Sequence, residues 1–370
     1  MDKERVKETL YPTILGGIIG DALGVPVEFT ARNAGVTDMI GYGTYNMPPG
    51  TWSDDTSLTM CLIENLIAEK DETDVMNRFV AYQDQGYWTP YGEMFDIGIA
   101  TADAISRFKQ GVPAVQCGGN TEYDNGNGAL MRIAPLVFSL SQETDFQTRK
   151  KEIERVAHVP HRHPRSTLGT IMYVEFLMNM YDKHSPLDSL KIAVNTCHEE
   201  LAAEDHYKNE FGAYERIFSL SLLEADRDDI RSDGYVVHSL EAALWCFFKH
   251  QTFEDAVLEA VNLGSDTDTI AFITGTMAGM YYGMDNIPHK WVKALVGKEK
   301  IFNLCDRFYH HCIGKMERRA WSKIRVAILY PDTKRHSAGG TFARVLYIEA
   351  RGVCGAGLNK PFFFMGSSMG

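Results

Sequence analysis

Apolar side chains recur with helical spacing through most of the first 314 positions. In TSLTMCLIENLIAEK (56–70) they fall at 58, 61, 62 and 66, and in TIAFITGTMAGMYYG (269–283) at 270, 273, 277 and 280. Recurrence at three and four residues places them on one face of an α-helix. The same reading holds for TILGGIIGDAL after Pro12, RSTLGTIMYVEFLMNMY after Pro164, and SLEAALWCFFKH. Strand-like runs are scarce there, and neither a fixed repeat nor a low-complexity linker interrupts the pattern. The expectation is a compact, multi-helix all-α domain over 1–314, with functional groups on the loops between helices.

Beyond residue 315 the pattern changes. KIRVAILY (323–330) and TFARVLYIEA (341–350) are rich in β-branched and aromatic residues, and PDTKRHSAGG between them supplies turn formers, so a β-hairpin is expected. The last stretch, GVCGAGLNKPFFFMGSSMG, is Gly-rich with a Phe triplet and reads as a small appendage or a partner-contact segment. Charge marks the same boundary. Residues 315–370 hold ten Lys/Arg and three Asp/Glu, leaving 27 basic and 46 acidic side chains, a net −19, in the first 314.

With 370 residues and an apolar fraction of 45%, the chain can bury a real core. The net charge of −12 argues against coating nucleic acid by counterion release and is compatible with binding metal cations. No run is expected to reach the ~18 apolar residues of a membrane span, and MDKERVKETLYPT lacks the apolar stretch of a secretion signal. A soluble, cytoplasmic monomer without membrane contact is the expectation. The seven cysteines include no C-x-x-C pair and mostly lie in apolar runs, which suits reduced, buried thiols. Cys305 and Cys312, with His310 and His311, can be drawn as a zinc site. Two helical turns apart, the cysteines fit a core-facing stripe better.

Two places load acidic and hydroxyl residues at the head of an apolar helix: Ser53-Asp54-Asp55-Thr56 and Ser265-Asp266-Thr267-Asp268-Thr269. Ser, Thr and Asp accept hydrogen bonds from free amides at a helix start, and an anion there suits the helix dipole, so capping explains part of the pattern. One cap needs one such residue. Four aspartates exceed that need, and like charges this close repel unless a cation lies between them. Asp266 and Asp268 converge only if the chain is still turning into the helix. Carboxylates and hydroxyls without thiol or imidazole are the donors that Mg²⁺ or Mn²⁺ prefers. Two such segments can hold two ions, the arrangement of binuclear hydrolytic sites.

With two further blocks these segments resemble the ADP-ribosylglycohydrolase family, which includes dinitrogenase-reductase-activating glycohydrolases and eukaryotic ADP-ribosylhydrolases. Four blocks match in the family's order: GGIIGDALGVPVEF (16–29), GTWSDDTSLT (50–59), DNGNGALMRIAPL (124–136) and LGSDTDTIAFITGTMAGMYYG (263–283). The resemblance implies an all-α fold with two magnesium ions, or manganese in some members, at the floor of an ADP-ribose cleft. By motif position Ser53, Asp54, Asp55, Asp266, Asp268 and Thr269 are the implied metal ligands. Glu28 and Asp124 are the implied catalytic carboxylates.

The DNGNG segment has a plain reading as a turn. Gly126 and Gly128 also allow backbone amides to approach a phosphate or ribose, so Gly126, Asn127, Gly128 and the nearby Arg132 are substrate-binding candidates, together with Gly264 and Ser265 of the last matching block. His161, in HVPHRHPR, occupies the place of the family's T-H-x-H-P histidine, although Pro160 stands where threonine is usual. The implied activity is magnesium-dependent hydrolysis of the glycosidic bond between ADP-ribose and a protein side chain or a small ADP-ribosylated molecule. A metal-dependent phosphoesterase uses similar ligands, and crystallin-like members of the superfamily are non-catalytic. Retention of oxygen donors at all six ligand positions favours the enzyme.

Overall fold

The computed structural model describes residues 3–329, with side chains through residue 319. Contacts divide the chain into a unit of Met1–Ala320 and a second of Trp321–Gly370. The first unit is built of helices in the order α1 (Lys3–Gly24), α2 (Asp54–Ala68), α3 (Glu72–Gln85), α4 (Ile99–Lys109), α5 (Leu136–Leu140), α6 (Phe146–Ala157), α7 (Pro164–Tyr181) and α8 (Pro186–Leu201). The short α9 (Asp205–Lys208) and α10 (Glu215–Phe218) follow, then α11 (Val236–Lys249), α12 (Phe253–Asn262), α13 (Thr267–Tyr282), α14 (His289–Ala294) and α15 (Lys298–Leu329). Among the described residues no strand forms; three isolated bridges, such as Gly126 with Tyr235, are the nearest approach.

The periodic segments are helices, and their polar flanks start them. Asp71 caps α3 through Thr73 and Asp74 amides, His163 caps α7 ahead of Pro164, and Ser185 caps α8. Two boundaries differ from expectation. α1 begins at Lys3 and carries Pro12 inside it, because burial against α13 outweighs the missing backbone donor. KIRVAILY is helical through Leu329 as the end of α15, since those residues extend a helix that is already nucleated; the rest of the expected hairpin lies outside the described residues.

α1 and α13 form the centre of the unit and touch backbone to backbone. A Cβ on Gly16 would lie 2.2 Å from the Gly275 carbonyl oxygen, one on Gly20 2.0 Å from that of Ala271, and one on Gly24 2.4 Å from Asp268 Cα. Glycine is required at these crossings because nothing larger fits. Leu15, Ile18, Ile19, Ile270, Ile273 and Met277 around them are fully buried, each contributing about 1.5–3 kcal/mol relative to exposure. This burial offsets the propensity cost of glycine within a helix. By length and composition Lys3–Val27 would pass for a membrane-spanning helix, contrary to the sequence expectation, yet 94% of its apolar window is buried inside the protein. Cys305 and Cys312 are core residues of α15, as the stripe reading requires.

Candidate active site

The close crossing of α1 and α13 brings three sequence-distant segments together. Asp21, on α1, accepts from the Ser53 amide at 2.9 and 3.1 Å, from the Thr56 amide at 3.1 Å and from Thr56 Oγ1 at 2.5 Å. A buried carboxylate from another helix thus takes most of the capping at the start of α2. Ser53 Oγ adds a long bond from the Asp55 amide at 3.4 Å. Asp54 and Asp55 are left free to face elsewhere. Asp54 Oδ2 accepts from the Gly98 amide at 3.1 Å. Asp55 Oδ2 accepts from Ser53 Oγ at 3.2 Å and from Thr269 Oγ1 at 3.1 Å, which joins the two helix starts directly.

At α13 the chain is still turning, as convergence of its aspartates demands. Gly264 and Ser265 both have positive φ (75° and 63°), and the Phe29 and Ser265 amides bond across to Ser265 and Thr30 carbonyls at 2.7 and 2.9 Å. Asp266 and Asp268 then fall beside Glu28, with one carboxylate oxygen of each lying within 4.8 Å of the others. Asn127 Nδ2 donates to Asp266 Oδ2 at 2.7 Å, tying the DNGNG loop to the cluster.

Seven carboxylates collect here: Asp21, Glu28, Asp54, Asp55, Asp96, Asp266 and Asp268. Among the described residues none forms an ion pair with a basic side chain. Burial raises the pKa of each, most strongly for Asp54, Asp55 and Asp268, where neighbouring carboxylates add repulsion. Asp21 is pushed up to about 7 and Glu28 to about 8, the latter by burial and then by Asp96. Asp55 Oδ1 is buried without a hydrogen-bond partner. An unpaired carboxylate oxygen amid oxygen-only donors fits a hard divalent cation, which would relieve both the repulsion and the unmet acceptor.

The cluster floors a cleft of about 510 Å³, the size of a small-molecule site. Glu28, Asp54, Asp266, Asp268 and Thr269 line it with Asp96, and Asp124, Gly126, Asn127, Gly128, His161 and Ser265 form walls. His161 Nδ1 lies 2.7 Å from the Asp124 carbonyl oxygen. A carbonyl only accepts, so Nδ1 carries the proton. Burial lowers the imidazole pKa to about 4, which leaves a neutral ring with an Nε2 lone pair beside Gly126 and Gly128. A Cβ on either glycine would come within 3.2 Å of Nε2, so both residues make room for the ring. Asp124 accepts from the Thr121 amide at 2.7 Å and Thr121 Oγ1 at 2.6 Å, and these donors lower its pKa.

Two expected substrate contacts are not on the wall. Arg132 is fully buried, donates to the Gly128 and Val156 carbonyls at 3.2 and 2.9 Å, and covers the Phe79 ring at 4.9 Å. It braces the loop from beneath. Gly264 packs against the Arg32 amide, where its positive φ turns the chain so that Ser265 and Asp266 reach the cleft. Sequence reasoning missed Asp21 and Asp96. Asp21 carried a legible signal, an aspartate inside an otherwise apolar helix. Asp96 had none, because it arrives through the 86–98 loop, with Tyr82 donating to its carbonyl oxygen.

A helical unit with a small-molecule cleft floored by carboxylates from two helix starts has a site suited to acid–base chemistry on a bound small molecule. The comparisons agree. A family model described as ADP-ribosylglycohydrolase matches residues 2–318, and the chain belongs to this family of hydrolytic enzymes. It is 33% identical to the ADP-ribosylarginine hydrolase Tri1 of Serratia proteamaculans (strain 568), covering 80% of this chain and 78% of that one. It is 26% identical to the ADP-ribosyl-[dinitrogen reductase] glycohydrolase of Rhodospirillum rubrum, covering 78% and 91%. A solved structure titled ADP-ribosylglycohydrolase-related protein complex superposes with a TM-score of 0.70 at 29% identity, over 84% of this chain and 99% of that one.

Proposed function

We propose that this enzyme hydrolyses the bond between ADP-ribose and a protein side chain with the help of two magnesium or manganese ions, arginine being the first acceptor to test. The observation that carries the reading is the convergence of Asp55, Thr269, Asp266, Asp268 and Glu28, with Asp55 Oδ1 buried and unpaired although Asp55 itself does not line the cleft. Arginine is favoured by the names of relatives at 33% and 30% identity. Among the described residues the cleft lining includes acidic side chains and no Lys or Arg, an environment suited to a cationic guanidinium.

Ser53, Asp54, Asp55, Asp266, Asp268 and Thr269 would hold the ions. Bound there, the cations would supply positive charge opposite sugar hydroxyls and lower the pKa of water at the cleft floor. The chain's own groups do the rest. Glu28 offers a carboxylate beside the cluster to orient and deprotonate water as positive charge builds at the anomeric carbon. Asp124, held ionised by Thr121 and lining the same cleft, can take up a proton released from water and pass it to the departing side chain. Gly126 and Gly128 offer backbone approach to the diphosphate without a charged side chain, and Asn127, whose amide donates to the Gly234 carbonyl, holds the loop that carries them. His161 presents a lone pair, so it recognises a hydroxyl or amino donor and not a phosphate oxygen.

Incubation with arginine-ADP-ribosylated protein and Mg²⁺ is expected to release free ADP-ribose, and EDTA to stop it. Release of AMP or inorganic phosphate instead would assign the site to phosphoester chemistry and overturn the proposal.

A further inference from the structure

The segment between the first two motif blocks belongs to no recognised motif, yet it closes over Glu28. Gly43-Thr44-Tyr45 forms a single 3₁₀ turn. Thr44 Oγ1 donates to the Glu28 carbonyl oxygen at 2.6 Å, and the Tyr45 hydroxyl donates to Glu28 Oε2 at 2.6 Å. Backbone and side chain of one glutamate are therefore gripped by adjacent residues. The Asp96 carboxylate is close enough for its charge to act on both the Tyr45 phenol and Glu28, so the phenol is bonded to one clustered acid in the field of another. Its ring packs edge-on against Phe95, with centroids 5.1 Å apart, which fixes where the hydroxyl points.

The turn is costly to make. Tyr42, Gly43 and Asn46 all adopt positive φ (72°, 52° and 54°), and a Cβ on Gly43 would lie 1.7 Å from the Pro26 carbonyl oxygen. Non-glycine residues in this conformation persist where the surroundings over-determine them, and they concentrate at functional sites. The Tyr42 amide bonds to the Met47 carbonyl at 2.5 Å and the Asn46 amide to the Gly43 carbonyl at 3.3 Å, closing the turn locally.

We infer that Tyr45 is a positioning residue for the reaction. It occupies Glu28 Oε2 and holds the carboxyl plane so that the second oxygen faces the cleft. This rests on the role of Glu28 given above. A hydrogen bond to a charged group is worth enough that its loss from the reacting geometry corresponds to a ~10–100-fold effect on rate.

The test uses the full chain with Mg²⁺ and an ADP-ribosylated protein. Tyr45→Phe keeps the ring on Phe95 and is expected to lower kcat ~10–100-fold, with KM, calorimetric ADP-ribose affinity and melting temperature unchanged. Glu28→Asp withdraws the carboxylate from the phenol. Once it has, adding Tyr45→Phe is expected to cost less than ~3-fold more, the non-additivity of groups that act together. Equal losses in both backgrounds, or wild-type kcat in Tyr45→Phe, would overturn the inference. Thr44→Val removes only the bond to the Glu28 carbonyl and is expected to give a smaller kcat loss. If both variants lose activity in step with a lowered melting temperature, the turn serves the fold alone and the inference falls. Full activity in Glu28→Asp would instead refute the role assigned to Glu28.

Discussion

The starts of α2 and α13 look alike in sequence and are built differently. At α2 a buried acid from α1 takes most of the capping: Asp21 satisfies Ser53 and Thr56, which frees Asp54 and Asp55. At α13 no side chain caps the helix. A left-handed turn at Gly264 and Ser265 aims the aspartates, and Thr267 Oγ1 anchors the turn to the Gly24 carbonyl at 2.8 Å. The first start depends on one imported carboxylate and the second on backbone conformation, yet the two are joined where Thr269 Oγ1 donates to Asp55, and Asp54, Asp266 and Asp268 line one cleft. Surplus acid at a helix start remains available to a site when capping does not consume it: at α2 Asp21 takes the amides, and at α13 only Asp268 Oδ1 accepts one, from Thr269 at 2.9 Å.

The largest expected effect is shared by both starts. Asp54→Ala and Asp268→Ala should each reduce release of ADP-ribose by on the order of 10³-fold, with the helical circular-dichroism spectrum retained. Each removes a buried charge among like charges, so metal-free stability should hold or rise while the Mg²⁺-induced rise in melting temperature is lost. Unchanged turnover in both would remove the cluster from the chemistry.

Asp21→Asn should separate the two starts. The amide cannot accept all the hydrogen bonds Asp21 now receives, which leaves buried donors unmet at α2 and costs about 1–3 kcal/mol. Denaturant unfolding should show that loss together with weaker Mn²⁺ binding. Wild-type stability would mean that Ser53 suffices as cap. Gly20→Ala should act on both starts through the α1–α13 crossing, costing about 1–3 kcal/mol by overpacking against the Ala271 carbonyl, again read by unfolding.

A smaller effect is expected from pH. Glu28 and Asp21 titrate at about 8 and about 7 in the folded protein, above their ordinary values of 4.5 and 3.8. Between those limits the folded protein binds more protons than the unfolded chain, so metal-free stability falls as pH rises through 7 to 8. Melting temperatures without metal should therefore be lower at pH 8.5 than at pH 6.5, and saturating Mg²⁺ should remove the difference. Ser57→Ala, which deletes only a bond from Ser57 Oγ to the Ser53 carbonyl at 2.8 Å, should change turnover less than ~2-fold. A large loss there would show that α2 tolerates no slack at its first turn.

Much of the candidate site was legible because its groups sit in short contiguous runs whose charge exceeds structural need. The runs Ser53–Thr56 and Ser265–Thr269 stood out on that ground, and the family resemblance singled out Ser53, Asp54, Asp55, Asp266, Asp268 and Thr269 within them. Asp96 and Tyr45 did not, since each lies in a stretch without periodicity or motif and reaches the cluster only through the path of a loop. Arg132 misled for a related reason. Its position four residues beyond Gly128 places it near the loop, but whether a side chain points to a cleft or into the core depends on what packs around it.

The hydrophobic pattern determined the helices, and the surplus of oxygen donors determined the chemistry they can support, because both are written in neighbouring residues. Only the tertiary structure decided that two segments about 210 positions apart meet. Gly16, Gly20 and Gly24 let α1 lie against α13 at backbone distance. That contact carries Asp21 to one helix start and Glu28 to the other, a long-range consequence that no local window contains.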